Sequence, residues 1–341
     1  MELREAQALW SPAAPYLNTA SFGLPPRPAW DELQTALEDW RDGRTSWEAW
    51  NETTERARAV FARLVGTGPE HVATGATVSQ LVSLVAAALP RGARVVAPDG
   101  DFASLLFPLA QQAEVATAPL AGLAEAIDDA THLVALSAVQ SSSGEVADLD
   151  AVAAAAKESG ALVLVDATQA CGWLPLEADQ ADYLVTAGYK WLMSPRGTAF
   201  LAVRPGLLES IGPVAANWWS AEDPYGMYYG LPPRLAADAR RLDISPAWFS
   251  WVGTAPALEV IERIGVEAVH EHDVRLANRF RAGLGLPASN SAIVSADMPG
   301  AQERLERAGI RAATRARHFR ASFHVYNSNA DVDAALDALR G

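Results

Sequence analysis

Lys190 and Asp166 are the residues whose types and spacing suggest chemistry. Lys190 lies in the apolar stretch YKWLM beside the turn SPRG, where a purely solvated role fits poorly, and lysines are scarce in this chain. Desolvation disfavours a charged amine, so a partly buried lysine has a depressed pKa, and its neutral form can attack a carbonyl. An aldehyde-bearing cofactor would form a Schiff base there. Asp166 ends the apolar run ALVLV 24 residues earlier, and a carboxylate so placed can balance the charge of a protonated ring nitrogen. The spacing is about one strand-connection-strand unit, so both side chains can project from the same edge of one sheet. The alternative is a structural Asp–Lys ion pair, which is costly when buried unless it is well hydrogen-bonded.

An anion site is the next candidate. In VATGATVSQLVSLVAAAL a short β-like run meets Gly75, Ala76 and Thr77, and an apolar-periodic helix follows at once. A helix start offers unpaired N–H groups and the positive end of a dipole, and Thr77 and Ser79 add hydroxyls. The competing reading is that Thr77 only caps its helix.

These residues need a scaffold, and the rest of the chain describes one. WDELQTALEDWRD (30 to 42) and WNETTERARAVFARLVG (50 to 66) have helical apolar spacing. Short apolar runs follow near 94, 114, 131, 161, 183 and 198, separated by Ala-rich helical stretches. They show little period-2 alternation, as expected of strands buried on both faces of a mostly parallel sheet. An α/β architecture follows. After Pro205 come an aromatic loop, NWWSAEDPYGMYYG (217 to 230), a long helix from about 254 to 283, and a tail that reads as a small α+β domain. The expected division is an N-terminal arm (1–20), a large domain (21–255) and a small C-terminal domain (256–341), with the arm able to pack against the last.

Composition narrows the function classes. With 341 residues, half of them hydrophobic, the chain can bury a sizeable core. A net charge of −14 argues against a nucleic-acid partner, which needs a basic face. One cysteine, Cys171, excludes an intramolecular disulfide framework and a multi-cysteine metal site, and no metal is expected. No run reaches the length of a membrane span, and the first residues lack a leader pattern. A soluble cytoplasmic protein is expected.

Six ordered stretches, YLNTASFGLPP, TGATVSQ, VDATQACGWLP, GYKWLMSPRGTAFLAV, WVGTAP and FRASFHVYNSNADVD, resemble the motifs of the class V aminotransferases. These are fold type I pyridoxal 5'-phosphate enzymes, a group that includes cysteine desulfurases, kynureninase, isopenicillin N epimerase-like proteins and C–S lyases. The resemblance runs from about residue 16 to 340. It implies a mostly parallel seven-stranded sheet between helices plus a small C-terminal α+β domain. It also implies roles: Lys190 as the Schiff-base lysine, Asp166 as partner of the pyridine nitrogen, and Gln169 near the cofactor's phenolic oxygen or the lysine, with Thr168 and Gln140 also among the cofactor-binding residues. Ala76, Thr77 and Val78 match the phosphate cup, and Phe102 matches the ring that stacks on the pyridine, where the alternative is a plain core phenylalanine. Thr254 resembles a threonine that reaches the phosphate from a neighbouring subunit, which implies a homodimer with shared sites. Arg320 matches the clamp on a substrate carboxylate, with Arg315 or Arg317 the next candidates and Asn18 and Ser21 alongside.

The departures from the family pattern bear on function. Tyr189 stands where many relatives have His, and Ala187 where a hydroxyl often binds phosphate, so Tyr189 or Thr186 is left to compensate. Gln140 and Ser141 replace asparagines of the desulfurases. No cysteine lies near the C-terminal domain, and Cys171 reads as a small buried apolar residue, so persulfide chemistry is disfavoured. The expected activity is work at the α-carbon of an amino acid, an aminotransferase first, with β-elimination across a C–S bond or epimerisation as the alternatives. Trp218, Trp219, Tyr225, Tyr228 and Tyr229 suit a substrate-binding wall as well as they suit packing against a partner subunit.

Overall fold

The computed structural model describes residues 1–45 and 47–340. Seven strands form the main sheet: β1 (Val72–Gly75), β2 (Arg94–Pro98), β3 (Glu114–Ala118), β4 (Thr131–Ser137), β5 (Leu162–Asp166), β6 (Tyr183–Ala187) and β7 (Ala199–Val203). Their spatial order is β1-β7-β6-β5-β4-β2-β3. Only β7 runs antiparallel to its neighbours. The carboxyl ends of β1, β2, β4, β5 and β6 therefore share one edge, the edge at which open α/β sheets bind ligands.

The weak alternation in the strand sequences has a direct cause. Along β4, Val134 and Leu136 join the core on one face while Leu133 and Ala135 join the core on the other; along β7, Phe200 and Ala202 alternate in the same way with Leu201 and Val203. Both faces are dry along these central positions, so successive residues are apolar. Among the described residues, ten α-helices accompany the strands: α1 (Leu3–Gln7), α2 (Arg27–Arg41), α3 (Trp47–Leu64), α4 (Val78–Ala88), α5 (Ala103–Ala110), α6 (Leu149–Ser159), α7 (Trp248–Ile264), α8 (Val266–Gly283), α9 (Ala301–Arg307) and α10 (Asn329–Arg340). Helices α3, α6 and α7 cover one face and α4 and α5 the other.

The long helix expected from about 254 to 283 is two helices. Helix α7 begins earlier, at Trp248, and Gly265 breaks the run with a φ of 91°, a conformation that glycine adopts without steric cost. Beyond it, β8 (Ile293–Ala296), β10 (His318–Ser322) and β9 (Ala313–Arg315) form a separate antiparallel sheet in that order. Leu17 belongs to the apolar core of this sheet, and its backbone pairs with it: Leu17 N donates to Arg311 O (2.7 Å) and Ser322 N donates to Leu17 O (2.9 Å). The N-terminal segment thus links the small sheet to the edge of the large one. No helix among the described residues is long and apolar enough to cross a membrane.

Candidate active site

The turn after β6 carries the lysine. Ser194 N donates to Gly188 O and Met193 N to Lys190 O, both at 3.0 Å, closing a tight loop in which the buried Met193 adopts a φ of 54°. A non-glycine residue there costs about 1 to 2 kcal/mol, which the surrounding packing must hold in place. The N-terminal arm presses on the same turn: Gly23 N donates to Tyr189 O (2.9 Å), and a Cβ at position 23 would lie 2.0 Å from Lys190 O. Glycine is required there by contact.

Lys190 is 5% exposed, and its Nζ lies 5.3 Å from the centre of the Phe102 ring and 5.7 Å from that of Tyr189. Burial brings its pKa down to about 8, Asp166 opposes the shift, and Arg320, Arg315 and Arg196 reinforce it. Asp166 is fully enclosed, with Thr168 N donating to its Oδ1 at 2.9 Å. Burial raises its pKa, against the pull of Thr168 and Lys190. An amine near neutrality thus faces a carboxyl group short of positive charge.

These groups line a cleft with a volume of about 130 Å³. At one end, Ala76, Thr77, Val78 and Ser79 open α4, and Arg196 lies beside them with its guanidinium 5.4 Å from the centre of the Tyr189 ring. Thr77 does cap the helix, accepting from Gln80 N at 3.3 Å, while the Gln80 side chain accepts from Ala76 N at 3.1 Å. The helix start and Arg196 together make this an anion-binding end. At the other end Ser141 reaches Arg320, which is 1% exposed: Nη1 donates to Ser141 O (2.6 Å) and Nη2 to Ser21 Oγ (2.8 Å). Burial, reinforced by Arg315, lowers its pKa to about 10. A planar group with an anionic tail at α4 and a cationic ring nitrogen at Asp166 would satisfy both needs.

The remaining expected residues divide between the cleft and its surroundings. Phe102 is 46% exposed and faces Lys190, so it is not a core phenylalanine. Thr168 lines the cleft and accepts from Ala187 N at 3.0 Å. Gln169 also lines it, held by Trp191 Nε1 at its amide oxygen (2.8 Å) and donating to Ala20 O (3.0 Å) and Ser141 Oγ (3.2 Å). Asn18 bridges to Ser322, two residues from Arg320, and its Oδ1 is buried without a partner among the described residues.

Four expectations are corrected. Gln140 does not line the cleft, because its amide is used on Asp101 Oδ2 (3.0 Å). Thr254 lies in the second turn of α7, wholly buried, and within this chain its hydroxyl donates back to Ser250 O at 2.7 Å, outside the cleft lining. Trp219 is buried with its Nε1 on Asp243 Oδ2 (3.1 Å), and Trp218 packs edge-on to Trp47 at 5.8 Å; both belong to an aromatic cluster against α3, not to the cleft. Thr186 is buried on β6 outside the lining, so it does not compensate for Ala187. Cys171 is buried, and burial pushes its thiol up to about 12, which leaves no thiolate at neutral pH.

Sequence reasoning missed Arg196, although it stands six residues after the lysine in the quoted turn SPRG. It also missed His324. That imidazole donates from Nε2 to Trp191 O (3.0 Å), and its Nδ1 meets Asp273 Oδ2 of α8 at 2.7 Å, with both side chains wholly buried. The signal was present in FRASFHVYN, four residues beyond Arg320.

Comparison with known proteins bears on the whole chain. The family described as aminotransferase class-V matches residues 55–298. The uncharacterized aminotransferase YcbU of Bacillus subtilis is 28% identical over 339 residues, covering 91% of this chain and 90% of its own. The kynureninase of Deinococcus radiodurans is 30% identical over 287 residues, covering 78% and 70%. Among solved structures, a variant of C-DES with glycine covalently linked to its PLP cofactor superposes with a TM-score of 0.87 at 20% identity, covering 99% of both chains. With the buried Asp166, the lysine amine and the anion-binding helix start converging on one cleft, this chain belongs to the class V aminotransferase family and is a pyridoxal 5'-phosphate-dependent enzyme.

Proposed function

We propose that this enzyme is an aminotransferase acting at the α-carbon of an amino acid. The observation that carries the reading is the pairing of a buried, cleft-lining amine whose pKa is about 8 with a buried guanidinium that reaches the cleft-lining Ser141 and has no carboxylate partner among the described residues. Pyridoxal 5'-phosphate supplies a carbonyl that captures amino groups and a ring that withdraws electrons from the α-carbon. The chain's own groups divide the remaining work. The first turn of α4, Thr77 and Arg196 hold the phosphate, with Arg196 taking the part left open by Ala187. Phe102, which lines the cleft beside Lys190, would pack on the ring. Asp166 keeps the ring nitrogen protonated, and in return its burial ceases to be a cost. Lys190 would anchor the cofactor through its aldehyde and, as a free amine, would accept and move the α-proton. Arg320 fixes the substrate carboxylate with its planar fork.

A persulfide route lacks its nucleophile, since Cys171 is buried and protonated. The deciding experiment is an amino-acid panel incubated with and without a 2-oxo acid. Turnover that requires the 2-oxo acid and releases no ammonia supports transamination. Ammonia and 2-oxo acid produced without an acceptor point to β-elimination, and inverted amino acid alone points to epimerisation.

We also propose a homodimer. Trp30 and Trp40 of α2, Phe107 of α5, Tyr229 of the aromatic loop and Leu231 just after it are all more than half exposed, and large apolar groups left exposed favour association. Sedimentation that finds an active monomer at assay concentration refutes this.

A further inference from the structure

Two guanidinium groups meet at Ser21, beside the cleft-lining Ser141, and the proposed function uses one of them. Arg315 ends β9, and Arg320 lies at the centre of the adjacent strand β10. Both send Nη2 to the same oxygen, Ser21 Oγ, at 3.0 and 2.8 Å. Their other contacts are also neutral: Arg315 Nη1 donates to Thr314 O (2.8 Å), and Arg320 Nη1 donates to Ser141 O (2.6 Å) and Ser141 Oγ (3.3 Å). No carboxylate lies within ion-pair distance of either among the described residues, whereas the other buried arginine, Arg58, is paired with Asp243 at 2.5 Å. Two like charges drawn to one hydroxyl repel each other, and neutral acceptors do not offset that repulsion.

The two groups sit at different depths. Arg320 is buried beside Ser141, which lines the cleft with the lysine, while Arg315 is exposed and still close enough to act on the lysine's charge. A single carboxylate gripped by Arg320 leaves the outer charge unmet. We infer that Arg315 binds a second anionic group, so that the preferred substrate is an α-amino acid with an acidic side chain, its α-carboxylate on Arg320 and its distal acid on Arg315. This rests on the reading that Arg320 holds a substrate carboxylate. Ser21 holds the two forks in register, and an exposed planar guanidinium suits a carboxylate better than an ammonium does.

The test uses the holoenzyme and ligands that cannot react: butyrate, succinate and glutarate, titrated by calorimetry and by competition with the amino-acid reaction. One of the two dicarboxylates is expected to bind about tenfold or more tighter than butyrate, the scale of one charge-assisted hydrogen bond. Arg315→Gln, at an exposed position, is expected to remove that advantage, and Arg315→Lys to restore part of it. If butyrate binds competitively and neither dicarboxylate gains, or if Arg315→Gln keeps the gain, the inference is wrong while the α-carboxylate reading stands. If none of the three binds, both fall together.

Discussion

Arg58 and Arg320 are the same residue at the same depth with opposite surroundings. Arg58, on α3, is 3% exposed and meets Asp243 at 2.5 Å, and Asp243 also accepts from Thr74 N (2.7 Å) and Trp219 Nε1 (3.1 Å). Burial would lower its pKa, but the carboxylates of Asp243 and Glu55 outweigh that and hold it above its ordinary value. Arg320 is 1% exposed and lacks such a partner, and its pKa falls to about 10. A paired buried charge completes a structure, whereas one left short of its counter-charge marks where a ligand's charge belongs. Asp166 and Lys190 stand on the second side of that contrast.

Substitutions can break the contrast, beginning with the largest effect. Lys190→Ala should lower turnover by about 10⁴-fold or more while leaving the far-ultraviolet spectrum unchanged, since it removes the base itself. The chain has two lysines, 157 and 190, so borohydride reduction of the parent holoenzyme followed by peptide mapping gives a clear answer. A cofactor adduct on Lys157 would overturn the site.

Arg58→Met should destabilise the fold by about 3 to 5 kcal/mol in urea, because Asp243 is left buried without its cation. Arg320→Met should stay within about 1 kcal/mol of the parent, since no carboxylate is orphaned, yet should weaken carboxylate binding by about 2 to 5 kcal/mol. Equal losses of stability in the two variants would end the distinction.

The lysine sharpens it through pH. Its folded pKa of about 8 lies below the ordinary 10.5, so between these values the unfolded chain binds more protons than the folded one. Stability of the cofactor-free protein should therefore rise through that window, by about 1 to 3 kcal/mol, and Lys190→Met should flatten the rise. Thermal melts at pH 7.5 and pH 10 measure it. The smallest effect belongs to Trp219→Phe, which deletes one hydrogen bond to Asp243. It should cost about 1 kcal/mol of stability and leave carboxylate binding unchanged, because the aromatic loop braces α3 and does not wall the cleft.

What could be read in the sequence follows from the same physics. The strands and their catalytic ends were legible because a sheet buried on both faces leaves uninterrupted apolar runs, and a lysine or aspartate closing such a run stands out. Trp218 and Trp219 were ambiguous because an aromatic-rich loop looks alike whether its rings face a ligand or a neighbouring helix. Thr254 was misplaced through a helix boundary: with α7 starting at Trp248, position 254 falls inside the helix and its hydroxyl turns back to Ser250. Arg196 left no periodic trace, since its role depends on the turn that brings it back to α4. The contact between His324 and Asp273 joins residues 51 apart, which no local pattern records.

That contact governs length. Arg320 and His324 lie on one continuous segment of backbone, and His324 is bonded to the carbonyl of Trp191, the residue after the catalytic lysine. If Arg320 grips the substrate carboxylate as proposed, the span from that grip to the Lys190 amine is held by four residues of chain and one hydrogen bond, anchored behind by Asp273. On that reading the segment acts as a gauge for the spacing between acid and amino group, and amino acids whose amine sits a carbon or two farther out would present the wrong atom to Lys190.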